Sequence, residues 1–497
     1  MKVFSAQQLS KIDQLTCEKQ GISELQLMER AAIRLMETLL QKYPKKQYCI
    51  LAGLGNNGGD GYALARLLQD KGEQVKLISA QANKQLSSAA ATNFHAYSGE
   101  ALLLNKEQDF KEIEKWLSAD SLLIDCLFGT GLNRPLEGFF KNLVQFINEL
   151  QLPVVSIDVP SGLASELPLP DKFEAIISQD CFTIHCPKAS FFYEAAWPYV
   201  QQFTIVDIGL QESLLQEKEQ FQYMNASWIN EIRKPRHPFS HKGNFGHVWL
   251  WAGSGNMPGA GILAAMACLK VGAGKLSVQF PEEHQAALIS QLPEAMLMPK
   301  ALNEFNGISD LLNSFTAFGL GPGIGNTTSA KAYLKWIIQM VKQPLVLDAD
   351  ALNMLAEEKT WLSFLPKHSI LCPHPGEFDR LLGKSFSGSY ERELAAVQFA
   401  KANQVCIVLK GRFTALISPN GDVFKNATGN PALAKAGTGD VLMGMITGFL
   451  AQSYSPMQAA CLAVYYHGLS ADVFTLQQSE DCMLASDILK ILPELMA

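Results

Sequence analysis

The chain reads as an α/β protein built on parallel sheets in two domains, and three observations lead there. Short apolar runs of strand length alternate with amphipathic segments of helical spacing along most of the sequence. Glycine-rich turns join several of those runs to the helix that follows. Polar clusters gather just after the strands, the edge at which parallel α/β sheets carry their sites.

Composition narrows the function classes. The 497 residues are 48% hydrophobic and 18% charged, enough to bury sizeable cores. The net charge of -7, with no basic stripe, argues against a nucleic-acid binder. The ten cysteines are scattered without a C-x-x-C pair, so neither a zinc site nor a disulfide frame is expected. Met1 to Lys19 lacks the apolar core of a signal peptide, and the apolar runs at Met257–Leu269 and Val441–Ala451 fall short of a membrane span. A reduced cytoplasmic protein, free of membrane and expected to form a homo-oligomer, is the reading.

Residues 5–43 carry helical spacing, through Leu9, Ile12 and Leu15 and then Leu25, Met28, Ala32, Leu35 and Leu39. Gln47–Gly53 reads as a buried strand, Asn56–Asn57–Gly58–Gly59–Asp60–Gly61 as a glycine-rich loop, and Tyr62 to Leu68 as a helix. Strand, glycine-rich loop and helix is a layout that binds phosphate with backbone amides, although it matches neither G-x-G-x-x-G nor a Walker loop. Strands are expected at Gln74–Ser79, Leu122–Leu127, Val154–Ile157, Cys181–Ile184 and Phe203–Ile208. Polar clusters follow three strands: Asn56–Asp60; Asp125 with Gly129–Thr130–Gly131–Leu132–Asn133–Arg134–Pro135; and Asp158 with Ser161. Each alone reads equally as a capped turn; three at one sheet edge point to a site.

These clusters resemble the epimerase domain of the bifunctional NAD(P)H-hydrate repair enzymes, over residues 1–215. The resemblance implies a Rossmann-like three-layer domain that interconverts the R and S hydrates of NADH and NADPH (NADHX and NADPHX). By matched position, Asn56, Asn57, Gly58, Gly59 and Asp60, with Gly129 to Pro135, hold the nucleotide, with Arg134 beside its phosphate. Asn57, Asp125 and Ser161 match a potassium site, and oxygen ligands suit such a hard cation. Asp158 matches the position at the reacting ring and is the expected acid–base group. Lys188 either assists it or is a solvated lysine.

Residues 216–240 are polar and broken by Pro235 and Pro238, and read as a linker with a short helix. Beyond it, glycine-rich turns follow strand-like runs at Gly253–Gly261 and Gly319–Gly325. Asp348 and Asp350 fall at one strand end and His374 at another. Thr414–Ile417 and Val423–Lys425 form a hairpin about Pro419–Asp422. Gly437–Thr438–Gly439–Asp440 opens an apolar helical run and presents amides to an anion. A carboxylate repels a phosphate, so Asp440 either accepts a proton from a reacting hydroxyl or caps the helix, a task Thr438 serves equally. Lys410 and Arg412 are expected to add positive charge at this helix mouth.

The ordered set Gly253–Ala260, Gly321–Gly323, Pro373–Glu377, Lys410–Thr414 and Gly437–Asp440 resembles the ADP-dependent NAD(P)H-hydrate dehydratases, over residues 225–497. That resemblance implies a ribokinase-like α/β domain which phosphorylates the ring hydroxyl of the S hydrate from ADP and eliminates phosphate, leaving AMP. By matched position Ala260, Gly323, His374 and Asp440 contact the hydrate. Lys410, Gly411, Arg412, Phe413, Thr414 and Gly439 contact the nucleotide, and Asp440 is the base. Magnesium is expected, with Asp348 and Asp350 as ligands or helix caps. The approach Ala432–Ala436 departs from the expected threonine- and glycine-rich pattern, and Lys435 either meets phosphate or faces solvent. A ribokinase-like kinase of a vitamin or sugar alcohol, or a protein-binding N-terminal module, are the competing readings.

Overall fold

In the computed structural model, which describes residues 1–118, 120–170, 172–298 and 308–497, the chain divides into two compact units, Lys2–Gln220 and Phe221–Ala497. The expected linker, 216–240, contains a strand at Phe221–Tyr223 and a helix at Ala226–Ile232, both inside the second unit. Ile229 and Met224 are buried in that unit's core, so this stretch folds as part of a domain.

The first unit opens with helices Ala6–Gln20 and Glu24–Lys42. Ser5-x-x-Gln8 and Ser23-x-x-Gln26 form reciprocal capping boxes that start them, and Gly21 in the left-handed region separates them. The sheet comprises β1 (Gln47–Ala52), β2 (Val75–Ala80), β3 (Ala101–Leu104), β4 (Ser121–Cys126), β5 (Val154–Ile157), β6 (Asp180–Ile184) and β7 (Phe203–Val206). Their order is β3-β2-β1-β4-β5-β6-β7, parallel throughout. The direction of winding reverses between β1 and β4, the crevice where open sheets bind ligands. Strand residues alternate between two apolar layers. Tyr48, Ile50 and Ala52 pack under one set of helices, Cys49 and Leu51 under the other.

The second unit repeats the logic with other helices. Its strands are β8 (Phe221–Tyr223), β9 (His247–Trp251), β10 (Lys275–Gln279), β11 (Met296–Leu297), β12 (Ala317–Leu320), β13 (Leu345–Leu347), β14 (Ile370–Leu371), β15 (Cys406–Leu409), β16 (Ala415–Ile417) and β17 (Val423–Lys425). They run β8-β17-β16-β15-β14-β13-β12-β9-β10-β11. From β15 to β11 the pairing is parallel, while β16 and β17 form the expected antiparallel hairpin. Val248 and Leu250 of β9 face one core and Trp249 and Trp251 the other. Gly444 and Gly448 bring the Thr438–Ala451 helix against the backbone of Ala264 and Cys268 in the Pro258–Lys270 helix. The small residues of that second helix therefore admit another backbone. Among the described residues, no helix is long and apolar enough to cross a membrane.

Candidate active sites

The first unit has a cavity of about 700 Å³ at the carboxyl ends of β1, β4, β5 and β6. Of the residues expected there, Asn56, Asn57, Asp60, Gly129, Thr130, Gly131, Leu132, Asn133, Arg134 and Asp158 line it. Pro135 lies outside the lining, and so do Gly58 and Gly59. The expected loop is in fact helical: Asn56–Asp70 is one continuous helix capped by Gly55. A methyl at Gly58 would sit 2.1 Å from the Gly53 carbonyl oxygen, so this glycine admits the helix to the strand end beneath it. The amides of the helix's first turn remain open to an anion.

Asp158 follows β5 with φ at +67°, a left-handed conformation that aims its carboxylate into the cavity mouth. Lys188 Nζ lies 2.8 Å from Asp158 Oδ1, and the Thr130 amide donates to Oδ2 at 3.2 Å. Lys188 is buried, 1% exposed, and donates also to Thr183 Oγ1 and the carbonyls of Ile184 and Cys186, each at 3.0 Å. Burial works against its charge, but Asp158, together with the Cys186 and Cys181 thiols, outweighs that and the ammonium is held above its ordinary range. The solvated-lysine alternative is thereby overturned.

Beneath the cavity, Asp125 is fully buried and accepts from Ser161 Oγ at 2.6 Å, the Ser161 amide at 2.8 Å, Ser156 Oγ at 2.9 Å and the Leu127 amide at 3.2 Å. Burial still pushes its carboxyl upward, against these donors. Asn57 donates to the Ile157 carbonyl at 3.3 Å, and its own oxygen is buried without a partner. Asn57, Asp125 and Ser161 together offer an unpartnered amide oxygen, a carboxylate and a hydroxyl, donor chemistry that fits a monovalent cation.

In the second unit, Gly437, at φ +93°, turns the chain into the Thr438–Ala451 helix. No side chain caps this helix. Thr438 turns back, its hydroxyl donating to the Leu433 and Lys435 carbonyls at 2.9 Å, so the capping alternative falls for Thr438. Asp440 makes no hydrogen bond among the described residues. Burial, then the Asp348 and Asp350 carboxylates, push its carboxyl up to about 6, with Lys410 partly offsetting them.

Lys410 closes the mouth. Its Nζ lies 2.8 Å from Asp348 Oδ1, 3.9 Å from Glu377 Oε2 and 3.7 Å from where a Cβ on Gly439 would stand. Arg412 does not join it: its guanidinium donates to the Ala427 and Gly429 carbonyls at 2.9 and 2.8 Å and lies over Phe413. Thr414 is buried and bonds back to Gly411. Gly323 and Ala260 meet, since a methyl on Gly323 would lie 3.3 Å from Ala260 Cβ. His374 is exposed rather than a core histidine; its Nδ1 caps the Pro375–Leu382 helix through the Gly376 amide at 3.1 Å. Asp350 accepts from the Gly325 amide at 2.8 Å. Lys435 binds the Asp481 carbonyl. Asp13, on the first helix, lines the first unit's cavity and carries no signal of its own in the sequence.

Comparison with known proteins bears on both units. A family model described as NAD(P)H-hydrate dehydratase matches residues 248–494, and one described as YjeF-related protein N-terminus matches 24–190. The bifunctional NAD(P)H-hydrate repair enzyme Nnr of Moorella thermoacetica is 31% identical, across 99% of this chain and 96% of that protein. The chain belongs to the bifunctional NAD(P)H-hydrate repair enzyme family. A repair enzyme of the same description from Escherichia coli is 30% identical over 99% of this chain and 93% of its own. The ADP/ATP-dependent NAD(P)H-hydrate dehydratase of Bacillus subtilis, co-crystallised with ATP/Mg2+, is 32% identical with a TM-score of 0.49, covering 56% of this chain and 98% of that one. Membership of the repair-enzyme family leaves the competing kinase and binding-module readings without support.

Proposed function

We propose that the chain repairs hydrated nicotinamide cofactor with two separate sites: residues 1–215 exchange the R and S hydrates of NADH and NADPH, and residues 225–497 dehydrate the S form with ADP. The observation that carries this reading is the family match across nearly the whole chain, over two units that each hold a cluster of acid and base groups at a parallel sheet edge. The pairing is chemically coherent, because the exchange supplies the isomer that the dehydratase takes.

In the dehydratase site, Asp440 accepts the proton of the ring hydroxyl as its oxygen attacks the terminal phosphorus of ADP. AMP leaves with the bridging oxygen's electron pair. Phosphate then departs with the electrons of the carbon–oxygen bond, and the neighbouring ring carbon loses a proton, restoring NAD(P)H. The amides of Gly437–Gly439 and the Lys410 ammonium hold the phosphoryl oxygens; one lost donor of this kind costs about 3–4 kcal/mol in an acyl-transfer enzyme. Asp348 and Asp350 each retain one carboxylate oxygen outside the hydrogen bonds described above and would hold magnesium. The ion supplies neutralisation of the transferred group's charge. Ala260, Gly323 and His374 border the hydrate, and Lys410 to Thr414 with Gly439 the adenine nucleotide.

In the epimerase site, Asn56, Asn57, Gly58, Gly59 and Asp60 with Gly129 to Pro135 cradle the substrate's nucleotide, and Asp158 acts on the ring. Asn57, Asp125 and Ser161 would hold potassium, which fixes the strand ends beneath Asp158. The protein is cytoplasmic and homo-oligomeric in this reading.

Mixed hydrates supplied with the protein, ADP, magnesium and potassium are expected to regain dihydronicotinamide absorbance and release AMP and phosphate. A stable phosphorylated product without regained absorbance would refute the reading in favour of a kinase. Two further outcomes follow. Because Asp440 must be deprotonated to act and titrates at about 6, dehydration from pure S hydrate should climb about tenfold per pH unit below that value and level off above it. Replacing potassium by tetramethylammonium should slow isomer exchange while sparing dehydration, and Asn57→Leu should remove that response; equal rates in both salts would dismiss the potassium site.

A further inference from the structure

The helix Ala6–Gln20 turns one stripe toward the epimerase-side cavity: Ala6, Leu9, Ser10 and Asp13 all line it. These positions are spaced 3, 4 and 7 residues from the first, the spacing of one helix face. The stripe lies outside residues 24–190, the part of the first unit that the family model matches. Its last member is a carboxyl. Asp13 makes no hydrogen bond or ion pair among the described residues. Asp158, in the same cavity, is held by Lys188 and by the Thr130 amide. Three carboxyls, Asp13, Asp60 and Asp158, thus share one cavity, and Asp13 and Asp158 stand in unlike settings, the arrangement that separates an acid from a base.

We propose that Asp13 is the proton donor of the epimerase site, working with Asp158 as the base; this rests on the epimerase reading above. The hydroxyl-bearing ring carbon of the hydrate also carries the ring nitrogen, so the ring opens as a carbinolamine does. Asp158 takes the hydroxyl proton, the carbon–oxygen bond becomes a carbonyl, and the carbon–nitrogen bond breaks. Its electron pair goes to the ring nitrogen, which receives the Asp13 proton. Rotation about the adjoining carbon–carbon bond presents the other face of the aldehyde. Nitrogen then attacks, Asp158 returns its proton to the oxygen, and Asp13 regains its own from the nitrogen. Atoms and protons balance with no further reactant, and both groups end as they began.

The surroundings favour that assignment. Burial raises the Asp13 carboxyl first, then Asp158 and Glu24 raise it further, while His185 and Lys188 oppose them; the outcome is about 6. Asp60 faces it as well, and the Cys17 thiol lies one helical turn on. A donor of that strength keeps a protonated fraction of about one tenth at pH 7 and transfers readily.

The test uses the full-length protein and chromatographically resolved R and S hydrates, with ADP-dependent dehydration of the S form as the control for folding. Asp13→Asn is expected to slow exchange by about a hundredfold or more at unchanged dehydration. The unmodified enzyme should lose exchange about tenfold per pH unit above about 6, because the donor must be protonated, and Asp13→Asn should lack that limb. Asp13→Glu should restore part of the rate together with the limb. Exchange by Asp13→Asn within threefold of the parent, or a loss confined to KM, would overturn the proton-donor role. If the unmodified protein exchanges nothing, the epimerase reading itself fails, and the assignment with it.

Discussion

Asp440→Asn is expected to abolish ADP-dependent recovery of NADH from the S hydrate while R/S exchange continues at its normal rate. The substitution keeps the side chain's size and removes its ability to accept the hydroxyl proton. Loss of a positioned general base costs about a hundredfold to ten thousandfold. The fold should tolerate the change well. Asp440 neither caps its helix nor bonds to a neighbour, and removing a buried carboxyl that repels Asp348 and Asp350 relieves strain in the charge distribution. Stability should therefore hold or rise slightly as activity vanishes, the trade expected at a site where repulsion is retained for function. The epimerase site lies in the other compact unit, so exchange measured in the same sample reports on folding. Dehydration persisting within tenfold of the parent would remove Asp440 from the chemistry.

The parts legible in the sequence were those with a local signature. Strand runs such as Val154–Ile157 and the hairpin about Pro419–Asp422 stand where expected, because apolar periodicity and turn residues are properties of neighbouring positions. Short strands with weak patterns, Ala101–Leu104 and Phe221–Tyr223, went unread; they are held by their sheet partners rather than by their own composition. Asn56–Gly61 was mistaken for a loop. Two asparagines and three glycines are poor helix formers in isolation, but here the glycines admit the helix to the strand end, and packing overrides propensity.

Side-chain partnerships across the sheet were the least legible. Asp348 was expected as a metal ligand or cap, and nothing near it in sequence announces the Lys410 ammonium 62 positions later. Lys188 reads from sequence as either a partner of Asp158 or a solvated lysine, and only the fold, which buries it against Asp158, decides between them. Asp13 lies on an amphipathic helix among charged neighbours, where a carboxylate carries no signal of its own. In each case the chemistry depends on which strand ends become adjacent, and that follows from topology rather than from spacing. The motifs marked strand ends in the sequence; the fold shows which charged groups meet there.

Asp158→Asn is expected to stop R/S exchange by about a hundredfold or more and to leave dehydration of pure S hydrate untouched. Asparagine is the informative replacement for two reasons. Position 158 has φ at +67°, a region that asparagine adopts far more readily than alanine. Its amide oxygen also continues to accept from one of the two donors, Lys188 on one side or the Thr130 amide on the other, which bond to different oxygens of the carboxylate. Alanine would leave the buried Lys188 ammonium without its counter-charge, which typically costs about 3–5 kcal/mol and confounds catalysis with folding. Asparagine lessens that cost without cancelling it, so the variant should melt somewhat lower than the parent, and Lys188→Gln added to it should recover part of the loss. Activity should not return with stability in the double variant, because the proton acceptor is still missing. Supplied with mixed hydrates and ADP, the single variant should rapidly regain NADH only up to the share present as S, whereas the parent consumes both isomers. Rapid recovery beyond that share would mean that another group inverts the carbon and that Asp158 serves to hold Lys188 in place.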